Sequence, residues 1–239
     1  MRNMIPAILI PAILALGLVG CAPSINPQMK AATDGLAATF QTRGQIHAAP
    51  AAYEPTPWAV GQWIVQRTVD DKGNVAIQRI SVVGAEGGGM WLEMDRQDYF
   101  HHHLTKILYS RMPRTADEAV DVLLKVVTQV DDKSPQTIDF AANPMAGLLK
   151  TQFKAVAGAV VVTADVAQAP KETVTVPAGT FEACAKAAVQ VSIMGTTQKS
   201  TSWFHPAVPI NGSVKGASDD GKWTVELLDF GTTGASSKL

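Results

Sequence analysis

An alternation of side chains with a period of two, which begins at Trp58, is the feature that most constrains the fold. Residues 58–68 alternate in this way and include β-branched side chains such as Ile64 and Val65, which is typical of a strand. Residues 70–74 combine aspartate, glycine and asparagine, which favour a turn, and residues 75–83 form a second apolar segment. The pattern therefore predicts an antiparallel hairpin as the base of the fold.

Further strands are expected on both sides of the chain's middle. The glycine-rich residues 84–89 separate the hairpin from a strand at residues 90–94, and residues 99–109 are again extended in character. The last third of the chain consists of short apolar segments separated by glycine-containing turns. These segments predict strands at residues 159–166, 172–176, 181–193, 199–204, 214–217 and 222–230.

The middle of the chain changes to a helical period. Thr115 and Glu118 have the spacing of a capping box, and apolar residues then recur at intervals of three and four as far as Val130. This predicts a helix over residues 115–130 and a second, shorter helix after Pro144. Strands around a helical block predict an antiparallel α+β domain. A small lipocalin-like barrel is the alternative, against which the helical block argues.

The first twenty residues have the organisation of a secretion signal. Arg2 provides a minimal positive region, and the apolar run over residues 4–19 contains two prolines and is shorter than the ~20 residues of a membrane-spanning helix. Cleavage at the end of this run is therefore expected. One possibility is an ordinary secreted protein, in which Cys21 follows the signal by chance.

The residues before the expected cleavage point carry a more specific signal. Leu18-Val19-Gly20-Cys21 resembles the bacterial lipobox, in which the cysteine thiol receives a diacylglycerol before the signal is removed. The resemblance implies an acylated (palmitate-type) anchor on Cys21, and two chains suffice for stable attachment where one is marginal. Ala22 stands where, in the enteric sorting scheme, aspartate would retain the protein in the inner membrane. The expected location is thus the outer membrane, facing the periplasm.

The remaining sequence divides into three parts. Residues 21–57, rich in alanine, proline, glutamine and threonine, are predicted to be a lipidated N-terminus and flexible tether. Residues 58–231 have the length of one domain, and residues 232–239 are predicted to be a disordered tail. The formal net charge of −1 argues against nucleic acid as a partner. Cys184 has no intramolecular partner if Cys21 is lipidated, and a buried strand position is the plainest interpretation of it.

A resemblance to a known superfamily covers the predicted domain. Residues 175–184 contain proline, glycine and phenylalanine at Pro177, Gly179 and Phe181, and strands with Trp203 and Trp223 follow. Together with a strand at residues 90–93, they look like the outer-membrane lipoprotein carriers and receptors, the LolA/LolB-like half-barrels. That resemblance implies a curved antiparallel sheet, or half-barrel, with the central helical block packed on its concave face. Such a sheet would enclose an apolar cavity that holds acyl chains. The residues expected to line this cavity, or a filled core, are Trp63, Trp91, Leu123, Val127, Leu148, Phe181, Val191 and Trp203.

Residue types that carry chemistry are few. His101 and His103 would share one face of a strand, and such a pair can bind zinc or copper, although no further ligands complete a recognised set. Residues 84–89 are rich in glycine but lack the Lys-Ser/Thr end of a phosphate-binding loop. Glu93, Asp95 and Asp98 are interpreted as solvated carboxylates at strand ends. No motif of an enzyme is present, and neither a cofactor nor a resident metal is expected.

Two functions remain open at this point. The first is a non-catalytic, lipid-anchored envelope lipoprotein that binds an apolar ligand, such as a lipid or acyl chain, or an envelope protein. The second is a structural or assembly protein of the envelope with a filled core. A weaker third is metal binding through His101 and His103.

Overall fold

The computed structural model of the protein describes residues 24–54, 56–113, 116–140, 142, 147, 150, 159–162, 166–193 and 196–239. Thirteen strands within these residues form one sheet. They are β1 (Ile46–His47), β2 (Trp63–Asp70), β3 (Val75–Glu86), β4 (Gly89–Asp98), β5 (His102–Tyr109), β6 (Leu123–Val130), β7 (Gln136–Asp139), β8 (Ala159–Val162), β9 (Lys171–Val176), β10 (Gly179–Ile193), β11 (Thr196–Phe204), β12 (Ser213–Ser218) and β13 (Trp223–Gly231). The helices whose bounds lie within these residues are α1 (Pro27–Ala38) and α2 (Ala116–Asp121).

The sheet is an open meander whose strands pair antiparallel, except that the short β1 runs parallel to β10. Its order is β1-β10-β11-β12-β13-β2-β3-β4-β5-β6-β7, and β8 and β9 pair with β10 off this path. The predicted hairpin of residues 58–83 is confirmed as β2 and β3, and the six predicted C-terminal strands correspond to β8–β13. A long-range antiparallel junction joins β13 to β2, the first long strand, with Val225 opposite Thr68.

The corner between β9 and β10 requires a glycine. Gly179 has a φ of +141°, and a Cβ atom there would lie 2.6 Å from the carbonyl oxygen of Gln45. The close approach arises because β1 runs parallel to β10, with Ile46 opposite Thr180. The backbone N–H of Thr180 donates to that same carbonyl oxygen at 2.8 Å. A larger residue at this corner would displace β1.

The predicted central helical block is wrong. Helix α2 ends at Asp121, and the residues predicted as the rest of that helix form β6, which pairs with β5. Valine and threonine make up half of this segment, and β-branching favours strands over helices. Its apolar positions also fit a period of two, since Val126 lies in the core and Lys125 on the opposite face. The half-barrel plugged by helices is therefore replaced by an open sheet; the second predicted helix falls almost wholly outside the described residues.

The inner face of the sheet is defined as the side that carries Ile64, Ile80 and Leu92. Register alignment places Ile80 opposite Ile64 and Met94, so the same side of successive strands is apolar. This side forms one continuous buried cluster with residues of β9, β10, β12 and β13. Members from that second half of the sheet are Val174, Val176, Phe181, Cys184, Val214 and Leu227. The main core of the domain therefore lies on the inner face.

The outer face, which is the opposite side, is partly covered by α1. Leu36 and Phe40 pack against Val65, Ile77 and Leu228 on the strands beneath them. The helix begins at a well-formed cap, because the Asn26 side chain accepts hydrogen bonds from two backbone N–H groups of the first turn. The structure thus contains a packed helix, and also β1, within the stretch that the sequence predicts to be a tether.

Candidate functional site

The residues predicted to line a cavity are divided between the two faces. Leu123 and Phe181 belong to the inner-face cluster, and Trp203 is partly buried against it. Leu148 and the side chain of Val191 lie outside the described residues. Nothing in these positions tests ligand binding, which stays a prediction.

Three of the predicted lining residues lie on the outer face instead. Trp63 is paired with Ser81, Trp91 with Leu108 and Val127 with Thr137, each one residue out of step with the apolar inner row. A shift of one position along a strand moves a side chain to the other side of the sheet. These residues are therefore separated from Phe181 by the sheet itself.

Phe181 is the centre of an aromatic group on the inner face. Its ring lies 4.3 Å from that of His47, 5.4 Å from that of His205 and 6.0 Å from that of Phe230, measured between centroids. His205 is 2% exposed, and its Nε2 lies 3.2 Å from the carbonyl oxygen of Ala48. Burial lowers the pKa of both histidines, so both are held as neutral imidazoles. They act as packing groups in this arrangement.

A small cleft opens beside this aromatic group. Its walls come from the segment before β2 and from the loop between β11 and β12. The lining residues are Tyr53, Glu54, Thr56, Phe204, His205, Pro206, Val208, Ile210, Asn211 and Gly212. The cleft holds about 20 Å³, which is enough for one water molecule. Pockets for drug-sized ligands are typically about 300–1,000 Å³.

The outer face of β2–β4 carries a charged and aromatic group that the sequence reasoning missed. The Arg79 guanidinium lies 4.2 Å from the Trp63 ring centroid, a cation–π contact. Burial lowers the pKa of Arg79, while the carboxylates of Asp95, Asp229 and Glu93 oppose that shift. The sequence could have predicted this group, because Arg79 and Asp95 lie directly opposite each other once the register of β3 and β4 is known.

The segment after β13 lies along this group. The Glu93 carboxylate, which is 3% exposed, accepts hydrogen bonds from the Ser237 hydroxyl at 2.7 Å and from the Lys238 backbone N–H at 3.0 Å. The Lys238 ammonium pairs with Asp95. Glu93 was interpreted as a solvated carboxylate, and its burial beneath this segment shows that interpretation to be wrong. Residues predicted to be a disordered tail are thus hydrogen-bonded to β4.

The three consecutive histidines lie where the β4–β5 turn meets β5, and two of them pair with different carboxylates. Nδ1 of His101 lies 3.0 Å from Asp131, and Nε2 of His102 lies 2.7 Å from Asp95. The rings of His101 and His103 are 5.6 Å apart, but His101 precedes β5, so the two do not share a strand face as predicted. Among the described residues, no group of three or more His, Cys, Asp or Glu side chains could hold a metal ion.

The structure describes one of the two cysteines, Cys184. Cys21 lies outside the described residues, so its lipidation stays a prediction. Cys184 is fully buried in the inner-face cluster, and burial, assisted by the charge of Glu172, raises the pKa of its thiol to about 12. A reactive cysteine needs the opposite shift, because the thiolate is the nucleophile. The interpretation of Cys184 as a buried strand residue is confirmed.

Comparison with known proteins gives a limited result. No protein-family model matches the chain, and no curated protein matches it. A solved structure from Parabacteroides distasonis, provisionally described as a lipoprotein, is 16% identical, with a TM-score of 0.32, and covers 73% of this chain and 97% of its own. A provisionally described exported protein with a YmcC-like fold from Bacteroides fragilis is 13% identical, with a TM-score of 0.30, and covers 76% and 100%. TM-scores this low carry no argument about fold or function.

Within the described residues, no helix has the length and apolar character needed to cross a membrane.

Proposed function

We propose that this protein is a lipid-anchored, non-catalytic protein of the bacterial envelope that works through its surface, as a structural or assembly partner of other envelope proteins. The anchor is the diacylglyceryl group on Cys21, and its support is the lipobox-like sequence that ends at this residue. Two acyl chains provide enough buried hydrocarbon for stable attachment. Placement in the outer membrane, facing the periplasm, follows from the alanine after the cysteine.

The observation that carries the choice of a surface function is the packing of the inner face. A carrier of acyl chains needs an apolar cavity, and the half-barrel resemblance would place it on this side of the sheet. Residues from both halves of the sheet instead form one cluster there, with Phe181 and Ile64 fully buried in it. The cleft beside it has room for about one water molecule. Of the two functions left open by the sequence, a filled core thus favours the structural one.

The state of the titratable groups supports a non-catalytic function. Catalytic sites usually hold groups whose pKa is adjusted toward neutrality and whose reactive atoms face a cleft. The buried His205 is tied to backbone groups, and the pKa of the Cys184 thiol is raised away from neutrality. Glu93 is occupied by the protein's own backbone N–H groups. Each of these groups therefore has a structural partner in place of a substrate.

The anchor is tested by a Cys21→Ala variant expressed in the native cell. We expect the wild-type protein to fractionate with the outer membrane and to carry a diacylglyceryl mass increment, and the variant to do neither. Wild-type protein that is cleaved at another bond, or that has no lipid increment, would contradict the anchor.

The choice between partner and carrier is tested on the wild-type protein. Crosslinking in cells should recover one or more defined envelope proteins. Native mass spectrometry of the detergent-extracted protein should show only the covalently attached lipid. A stoichiometric, non-covalently bound lipid, together with no crosslinked protein, would favour the carrier function and overturn this proposal.

A further inference from the structure

The first residues that the structure describes are fastened to one end of the sheet. The backbone N–H of Asn26 donates to the carbonyl oxygen of Tyr99 at 2.9 Å, in the turn between β4 and β5. Two more contacts follow within α1, because the Thr33 hydroxyl donates to the Asp98 carbonyl at 3.1 Å and the Tyr99 hydroxyl donates to Asp34 at 2.7 Å. Thr33 is fully buried in this contact. Asn26 is therefore a fixed point on the folded domain.

Only a short stretch of chain separates this fixed point from the proposed lipid. Asn26 is the fifth residue after Cys21 in the sequence. Five residues span at most about 18 Å even when fully extended. If Cys21 is lipidated, its backbone is held at the headgroup level, so the β4–β5 turn can never be far from the bilayer surface. The stretch predicted as a long tether is in effect much shorter.

The sheet register shows which loops share this end. Ala76 at the start of β3 lies opposite Asp98 at the end of β4, and Trp223 at the start of β13 lies opposite Asp70. The turns at residues 71–74, 99–101, 131–135 and 219–222 are therefore at the same end, called the anchored end. The turn at residues 87–88 and the loop at residues 205–212 lie at the other, the distal end.

The distance between the two ends exceeds the reach of the tether. Strand β13 contains nine residues, and its eight steps of about 3.3 Å give a length of roughly 26 Å. Aspartates outnumber lysines in the four turns of the anchored end, and Asp71, Asp132 and Asp220 are exposed there. Charge therefore does not draw this end to anionic headgroups, and the tether alone sets its position.

We propose that the anchored end of the sheet faces the bilayer, with the turn around His101 next to the lipid headgroups, and that the distal end projects away from the membrane. This orientation rests on the proposed lipidation of Cys21. It places the cleft and the loop at residues 205–212 on the side of the domain away from the bilayer.

The orientation is tested on the full-length, lipidated protein in phosphatidylcholine vesicles. Single cysteines are introduced by His101→Cys at the anchored end and Ala207→Cys at the distal end; both positions are exposed. Cys184 is fully buried and does not compete for the label. With a donor fluorophore on each cysteine and an acceptor on headgroup-labelled phosphatidylethanolamine, energy transfer should be clearly greater from position 101 than from position 207.

A longer tether provides the matched control. Insertion of roughly twelve glycine and serine residues between Ile25 and Asn26 adds a mean reach of about 20 Å. It should reduce the transfer at position 101 and bring the two labels closer together in efficiency. Equal or reversed efficiencies in lipidated protein that floats with the vesicles would overturn the orientation alone. Protein with no lipid increment that fails to float would overturn both this inference and the proposed anchor.

Discussion

Truncation of Phe181 distinguishes a filled inner face from a hollow one. In a filled core, Phe181→Ala removes a fully buried ring that contacts His47, His205 and Phe230. The lost burial and the cavity that remains together cost about 3–5 kcal/mol of unfolding free energy. With a urea m-value of about 2 kcal/mol per M, the midpoint of unfolding should fall by about 2 M.

The assay is urea unfolding of the soluble domain, followed by tryptophan fluorescence. Phe100→Ala, in the β4–β5 turn, is the matched control, because the same ring is removed from a half-buried surface position. It should cost less than about 1 kcal/mol. A loss below about 1 kcal/mol for Phe181→Ala would refute the filled core, because a ring that borders open space gives up few contacts.

Three further predictions concern His205, Cys184 and Gly231. Burial and the nearby His47 lower the pKa of His205. Its contribution to the free energy of unfolding is therefore complete above about pH 6.5. As the pH falls from there toward the lowered pKa, this contribution is lost by up to about 1.4 kcal/mol per pH unit. Urea midpoints across that range should fall with pH for the wild type and less steeply for His205→Gln; equal slopes would contradict it. Cys184 should resist iodoacetamide in the folded protein and react once urea unfolds it, whereas rapid alkylation without denaturant would show that the strand opens. Gly231→Ala should cost about 1–3 kcal/mol, because its Cβ would lie 2.6 Å from Nε1 of Trp63; an unchanged midpoint would mean that the indole moves freely.

Local signals in the sequence were sufficient to predict the hairpins. The β2–β3 turn is determined by Asp70, whose carboxylate accepts hydrogen bonds from the backbone N–H groups of Lys72 and Asn74. Such a turn depends on a few neighbouring residues, and the alternation on either side sets the register. For this reason the strands of the N-terminal hairpin and of the C-terminal third could be located without knowledge of the fold.

The segment from Leu123 to Val130 could not be assigned in the same way. Its apolar residues satisfy both a helical and a strand period, and the outcome depends on pairing with β5, where Ile107 lies opposite Val126. This pairing is a contact between segments that are distant in sequence. Helix propensity is a weak prior that such contacts override.

The sequence also could not show on which side of the sheet each candidate residue lies. Alternation separates Ile64 from Val65, but both are buried, one in the inner cluster and the other beneath α1. The helix that covers the outer face contributes only a few large apolar residues, such as Leu36, so its composition resembled that of a linker. Trp63 and Trp91 were assigned to the wrong side because nothing local showed which face held the main core.

The junction of β13 with β2 has a consequence for the order in which the domain can be completed. A chain that emerges with its N-terminus first forms the meander from β2 to β7 early, while the free edge of β2 waits for its partner. That partner is β13, the last strand, which pairs with β2 from Trp63 to Asp70. An unpaired edge strand is a template for aggregation, and transient exposure of this kind is a known hazard of slow, non-local pairing. We therefore expect the edge of β2 to be most open to pairing with another chain in the interval before residues 223–231 arrive.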